Sequence, residues 1–534
     1  MIHVGHGKPS APKPTRVQKS IAFTGSDEEL SMTLSRRQML AGTAAAGLVT
    51  LPLLDGCKIS APVRQADVIV LGAGVSGLNA ARLLEEQGFK VIVLEARDRV
   101  GGRVLTLFDQ PGHPEMGFNS MGAGYGRGID AAKRAGIELV DISPRYMVDS
   151  QRKAQPVPVA GVPAGKAGGP PNRIESQQLV LGGKGMTRAE WTASPQNPLP
   201  ADLKELMPWE VVPALFAKHN PLVNWADWIN AAPAQDVSVA SFLKGHGLSD
   251  AAIRLVFEVA PYFGVTADTS SALNYEFMDG WIKAQQSFGH ASYAVKGGNQ
   301  KLPEAMRSLI NGDVLLDKEV VEIASDSSGA TVRCGDGTRY RGKHVLCSLP
   351  YSTLRKISIE PGLTGAQAMA VNTLAYQPLS LAFLTVKEPY WEKDGLPVSM
   401  WTDGPIGASL AQHFGDNIEQ VTGLLLFARG HLAQRWDKQG KDATLASVVA
   451  ELERVRPAAK GQVTGAAFHS WGNERFNLGD WAYFKAGQVK SFGKEMARPA
   501  GRVHFCGEHT ATANRGLEGA LESSERAVLE IVSA

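Results

Sequence analysis

Four residues between positions 72 and 95 have the types and spacing to hold a nucleotide. Gly72, Gly74 and Gly77 form G-x-G-x-x-G, and Glu95 closes the next apolar run. Each has its own task. Gly72 permits a tight turn, Gly74 lets the backbone approach a pyrophosphate, and Gly77 lets the following helix pack close to the preceding strand. A carboxylate at Glu95 accepts hydrogen bonds from ribose hydroxyls. The glycines alone are a weak signal and gain specificity from their surroundings. Val68–Leu71 suits a buried parallel strand. Leu78, Ala81, Leu83 and Leu84 have helical spacing over 76–87, Gly88 stops that helix, and Val91–Leu94 is a second apolar strand. In this register the elements predict a site for an ADP-containing dinucleotide.

Beyond Glu95 the chain reads E-A-R-x-R-x-G-G-R, with Arg97, Arg99, Gly101, Gly102 and Arg103. Two more glycines admit a second close approach, and Arg103 can face phosphates. Near the other end, Val503-His504-Phe505-Cys506-Gly507-Glu508-His509-Thr510 is followed by Arg515-Gly516-Leu517-Glu518-Gly519-Ala520. An apolar strand leads to Gly507 and Glu508, and a glycine-rich turn opens a helix running through Ala520 to Val532. The N–H groups at a helix start suit an anionic or electron-rich ligand edge. Together these segments resemble the FAD fingerprint of the flavin amine oxidase family, which includes monoamine oxidases, polyamine oxidases and L-amino-acid oxidases. The resemblance runs from about residue 65 to the end and is patchy in the middle. It implies FAD held by Gly72, Gly74, Gly77, Glu95, Arg97, Gly102, Arg103, Gly507, Glu508 and Leu517, with the backbone of Val320 or Val321 meeting the adenine. An ordinary nicotinamide dehydrogenase start, the alternative for the first segment, leaves the second without a purpose.

The implied reaction is two-electron oxidation of a C–N bond, with hydride passing to the flavin and water hydrolysing the imine. Three positions depart from the family pattern. In Leu379–Trp391, the K-E-P-Y-W end sets a count that puts Leu381 where the family has a water-holding lysine; Gln377, close by in sequence, is the alternative holder of that water. This leaves open whether O2 or another electron acceptor reoxidises the flavin. In Asn477–Phe484, Asp480 stands where some relatives attach the flavin to cysteine, so non-covalent FAD is expected. Trp481 takes the place of a cage aromatic, against the plainer reading of a core tryptophan. Gly516 falls where many members have the second cage aromatic, leaving room for a bulkier substrate or for another side chain.

An amino-acid substrate requires a fixed cation for its carboxylate. Arg127, in Met121-Gly122-Ala123-Gly124-Tyr125-Gly126-Arg127, is the candidate; a solvated surface arginine is the alternative. Tyr262, Phe263, Trp281 and Trp401 are aromatic candidates for the pocket. Two other classes stay open: a flavin desaturase or isomerase of a non-nitrogenous substrate, and a protein that binds FAD without turnover.

The elements needed to position these residues fit an α/β chain: a Rossmann-like FAD-binding domain interleaved with an α+β substrate domain of mixed sheet and helices. The expected FAD-binding segments are 65–142, 290–358 and 465–534, and the substrate segments 143–289 and 359–464. Residues 154–171 are Pro/Gly-rich and read as a loop. Ser238–Leu243 and Ala251–Tyr262 read as helices of the substrate domain, and Val314–Ile323 as a strand. A formal net charge of +2 argues against nucleic acid as a partner. Cys57, Cys334, Cys347 and Cys506 have no metal-binding or redox spacing, and isolated buried thiols are preferred to a Cys334–Cys347 pair. Residues 1–60 read as leader. Ser35-Arg36-Arg37-Gln38-Met39-Leu40 and the alanine-rich run after it resemble a twin-arginine signal, implying a periplasmic or secreted enzyme. Leu54-Asp55-Gly56-Cys57 resembles a lipoprotein box that would tether the enzyme through a lipid anchor at Cys57. The expected partners are a small amine or amino acid, O2 or an electron-acceptor protein, and a second copy of the chain in a homodimer.

Overall fold

Val68–Leu71, Val91–Leu94 and His344–Cys347 are short apolar runs buried along their whole length. Such runs form parallel strands covered on both faces. In the computed structural model, which describes residues 63–142, 177–231, 235–412 and 420–534, they lie in one parallel sheet. Its order is Val503–Phe505, His344–Cys347, Val68–Leu71, Val91–Leu94, Asp313–Leu315. The leader, the twin-arginine segment, Cys57 and the Pro/Gly-rich 154–171 lie outside the described residues.

Helix Val75–Glu86 follows the first strand and ends before Gly88, which has φ +84°. Its buried face meets helix Gly516–Val532: Asn79 Nδ2 donates to Ser524 Oγ at 2.9 Å, and Ser76 Oγ contacts Cys506 Sγ at 3.2 Å. The two glycine-bearing ends of the sequence thus pack side by side. Cys334, Cys347 and Cys506 are buried free thiols.

A second layer is a seven-stranded sheet, in order Val463–Ser470, Leu379–Val386, Gly423–Arg429, Ala408–Gln412, Met400–Thr402, Gln178–Leu181, Lys184–Met186. Its strand Val463–Ser470 runs past residue 464 while still pairing with Leu379–Val386. A five-stranded sheet containing Val320–Asp326 and a small sheet of Met121–Gly122, Ser292–Val295 and Leu139–Asp141 complete the scaffold.

Two expected elements differ. The stretch 314–323 is divided: Asp313–Leu315 joins the parallel sheet, and Val320–Asp326 starts a separate one after Asp317, whose φ is +56°. The helix expected to reach Tyr262 spans only Asp250–Ile253 and continues as a π turn over Arg254–Glu258. Pro261 has no N–H to extend it, and Tyr262 falls in the loop beyond.

Candidate active site

The nucleotide turn rests on distinct constraints. Gly72 has φ +93°, and a Cβ on Gly77 would lie 2.0 Å from the Gly72 carbonyl oxygen. A Cβ on Gly74 would meet nothing within 4 Å, so this face is open to a ligand. Helix Val75–Glu86 has no side-chain cap, which leaves its first N–H groups and positive dipole end for that ligand. Glu95 is 4% exposed; Oε2 accepts from Ala73 N at 2.8 Å and Oε1 from Arg97 N at 3.0 Å. Both oxygens keep a lone pair for a ribose.

Arg99 holds the next loop by donating to the carbonyls of Val100, Gly102 and Val104. Gly102 would bring a Cβ within 3.4 Å of the Gly74 Cα, so the two glycine turns face each other. Arg97 reaches Asn477 and Glu474, and its buried Nε has no partner. Val321 sits at a shift of register between Val320 and Glu322. Its backbone therefore has no ladder partner on Gly329–Cys334. Lys318 N bonds the Glu95 carbonyl at 2.8 Å, which ties this bulge to the end of strand Val91–Leu94. Open glycine backbone, uncapped helix start, ribose-type acid and bulged strand form a set of donors and acceptors that fits a flavin dinucleotide.

Arg103 joins this half to the other. Its Nη1 donates to the Asp480 carbonyl at 2.5 Å and to Glu508 Oε2 at 3.3 Å. Burial works against its charge, yet Glu508 and Asp480 leave the guanidinium more firmly protonated than usual. Gly507 N bonds Ser523 Oγ at 2.9 Å, and buried Leu517 lies in the first turn of Gly516–Val532, a helix that also lacks a side-chain cap.

Trp481 follows Asp480. Its Nε1 donates to the Tyr262 carbonyl at 2.9 Å, and the rings stack with centroids 5.1 Å apart. Gln377 is fully buried and bonds both Gly264 N (2.6 Å) and Gly264 O (2.9 Å). It therefore pins the Tyr262 loop and has no hydrogen-bonding group aimed at a reacting water. Leu381 is fully buried opposite Phe427 and His469, on the sheet face packed against Met116, Trp471 and Trp481. Burial pushes the His469 imidazole down to about 4, so it is neutral. Gly516 has φ +59°, and the nearest atom to a Cβ there is the Tyr125 hydroxyl at 3.7 Å.

Several candidates fall elsewhere. Arg127 pairs with Glu525 at 2.8 Å and Glu518 at 3.3 Å, so its guanidinium is committed to carboxylates of the chain. Trp401 packs with Trp209 and Trp191 in a separate cluster. Trp281 meets Tyr125 edge-on and gives its Nε1 to Asn514. Two contributors have no signal as such in the sequence, Tyr125 and Arg429, and Gln377 has a role other than the expected one. Tyr125 stands in a quoted motif but was passed over for Arg127. Gln377 clamps rather than activates. Arg429 carries no motif at all; its Cζ lies 5.1 Å over the Tyr262 ring and 5.7 Å over Trp481.

The family pattern described as flavin containing amine oxidoreductase matches residues 75–532. The chain belongs to this family. Human amine oxidase [flavin-containing] B is 25% identical over 486 residues, covering 88% of this chain and 86% of that protein. The putative L-amino-acid oxidase YobN of Bacillus subtilis (strain 168) is 26% identical over 489 residues, covering 89% and 96%. Among solved structures, cyclohexylamine oxidase from Brevibacterium oxydans IH-35A superposes with a TM-score of 0.68 at 21% identity, covering 88% of this chain and 99% of that one. Putrescine oxidase bound to putrescine gives 0.67 at 23% identity, covering 89% and 100%. Both share the fold of this mixed α/β chain, and its place among flavin-containing amine oxidoreductases makes it an oxidoreductase.

Proposed function

We propose that this oxidoreductase uses non-covalent FAD to oxidise the C–N bond of an amine or L-amino acid. The observation that carries the reading is Arg103, which links the first nucleotide loop to Glu508 and to the backbone beside Trp481. Gly72, Gly74, Gly77, Glu95, Arg97, Gly102, Val321, Gly507 and Leu517 would hold the dinucleotide. FAD held by these residues would supply the two-electron acceptor for hydride from the carbon that bears nitrogen. The chain's own part is placement and desolvation. Trp481, Tyr262 and Tyr125 offer aromatic surface that disfavours the ammonium form, so the amine enters neutral and no side-chain base is required. Loss of two electrons and two protons leaves an imine, which water converts to a carbonyl product and ammonia or an amine.

Asp480 in place of an attaching cysteine supports non-covalent FAD. Leu381 in place of a lysine favours an acceptor other than O2; with O2, the two electrons and two protons would yield H2O2. The arginine pair at 36–37 supports twin-arginine export, with Cys57 as the lipid-anchor point. Fractionation of cells expressing the full chain tests export, and recovery solely in the cytoplasm would refute it.

The test of function is anaerobic mixing of purified flavoprotein with a panel of amines and L-amino acids. Bleaching of the flavin by some of them is expected, with ammonia or amine release. Bleaching solely by non-nitrogenous compounds would favour a desaturase, and no bleaching would favour a non-catalytic flavin binder.

A further inference from the structure

Arg429 ends strand Gly423–Arg429, opposite Leu379. Phe427, two residues earlier and opposite Leu381, packs on the face that meets Trp481. Alternation along a strand puts Arg429 on that same face. Its guanidinium carbon lies 5.1, 5.7 and 5.7 Å from the ring centroids of Tyr262, Phe427 and Trp481. It makes no ion pair or hydrogen bond among the described residues, and its buried Nε is left without a partner. Neighbouring arginines differ: Arg97, Arg103 and Arg127 all hold carboxylates of the chain. Burial disfavours the Arg429 charge, and the groups that oppose this are Tyr262, Asp480 and Tyr275.

An arginine remains charged at such a site because its ordinary pKa is above 12. Rings over the guanidinium face stabilise it, but they satisfy none of its N–H donors in the plane. Those donors match a carboxylate in bidentate geometry. Arg515 is the obvious rival, since it too lies over rings, those of Trp228 and Phe277. It is only 8% exposed, however, and both rings belong to the central apolar core. Arg429 instead abuts Tyr262, which is 43% exposed, and Trp481, the wall next to the Arg103 junction. Among the described residues it is therefore a cation without a carboxylate partner at the edge of the cleft.

We propose that Arg429 is the anion anchor of the substrate cleft, so that the preferred electron donor carries a carboxylate beside its amine. This rests on the amine-oxidising reading above. It assigns the carboxylate-holding role considered for Arg127, a residue of helix Gly126–Arg134, to the end of strand Gly423–Arg429.

Two measurements on the flavin-loaded enzyme separate this inference from its parent. The first is a titration with benzoate and its uncharged isostere benzamide, followed by the flavin difference spectrum. Benzoate is expected to bind at least 10-fold more tightly in the wild type. Arg429→Met should weaken benzoate about 100-fold, the scale of two charge-assisted hydrogen bonds, and leave benzamide within about threefold. Arg429→Lys should recover part of the loss. The second is anaerobic reduction by L-phenylalanine and by phenethylamine, which lacks only the carboxylate. A lower KM for the amino acid is expected, with the advantage gone in Arg429→Met. Equal affinity of wild type for benzoate and benzamide would overturn the anchor, even if the variant failed to fold. Reduction by phenethylamine but not by L-phenylalanine would overturn it while amine oxidation stood. If neither compound nor the wider panel reduced the flavin, amine oxidation would fall, and benzoate would still decide the role of Arg429.

Discussion

The Trp481 indole is fixed at both ends: its Nε1 donates to the Tyr262 carbonyl at 2.9 Å, and its ring stacks on the Tyr262 ring at 27°. Gln377 N bonds the Trp481 carbonyl at 2.9 Å, while its side chain grips Gly264. One aromatic wall of the cleft is thus assembled from three distant segments. Trp481→Phe keeps an aromatic face but deletes the donor. The expected result is a loss of about 10-fold in kcat/KM for reduction, the scale of one net hydrogen bond plus weakened stacking. Stopped-flow reduction checks it; an unchanged value would mean that the indole is packing alone.

Leu381 predicts the oxidative half of the cycle. A fully buried leucine among Met116, Leu379, Phe383 and Trp471 cannot polarise a water by charge. Reoxidation of the reduced enzyme by O2 is expected to be slow beside that by a dye acceptor. Leu381→Lys should speed the oxygen reaction by about 10-fold or more, since a fixed charge acts strongly in a water-poor site. The apolar surroundings will depress the new amine's pKa, so the gain should shrink as pH rises. Rapid mixing of reduced enzyme with aerated buffer measures both, and fast wild-type oxidation by O2 would contradict the role given to Leu381.

Legibility differed between the two halves of the site for a physical reason. In the nucleotide turn the backbone dictates residue type: a Cβ at Gly77 collides with the Gly72 carbonyl, and Glu95 must end its strand to meet Ala73 N. Local spacing therefore carried that part of the fold, including the helix stop at Gly88. The cleft is different. Arg429, Tyr262, Tyr125 and Trp481 come from four segments, and no local geometry requires an arginine or a tyrosine at those positions. Arg127 had the right chemistry in the right general region, but Glu518 and Glu525 arrive from the far end of the chain to neutralise it. Tyr125 beside Gly516 is a similar case, because the contact depends on how helix Gly126–Arg134 meets Gly516–Val532.

Asp480 gives a pH signature. Burial first, and Glu508 next, push its carboxyl up to about 6 against the pull of Arg103 and Arg429. It is neutral below that pH and anionic above, where it offsets the positive charge of its neighbours. Affinity of the cleft for an anionic probe such as benzoate should therefore decline as pH rises through about 6. Asp480→Asn should flatten that profile. The same position bears on FAD attachment: acid precipitation of the wild type should release all of the flavin into the supernatant. Flavin retained in the pellet, or an inflection near pH 6 that survives in Asp480→Asn, would count against these assignments.

Glu276 tests stability rather than chemistry. It lies on helix Leu273–Gln286, 3% exposed, with Oε2 buried and unpartnered. Burial, then the nearby Asp236, raise its carboxyl from an ordinary 4.5 to about 7. Between those values the folded chain holds a proton that the unfolded chain releases, so stability falls as pH climbs through the window. Glutamine mimics the protonated form. Glu276→Gln should be neutral near pH 4.5 and stabilise the protein by about 3 kcal/mol at pH 8, the order set by a shift of this size. Melting temperatures of both proteins at the two pH values measure the difference. An equal gap at pH 4.5 and pH 8 would show that packing, not the buried proton, distinguishes the variant.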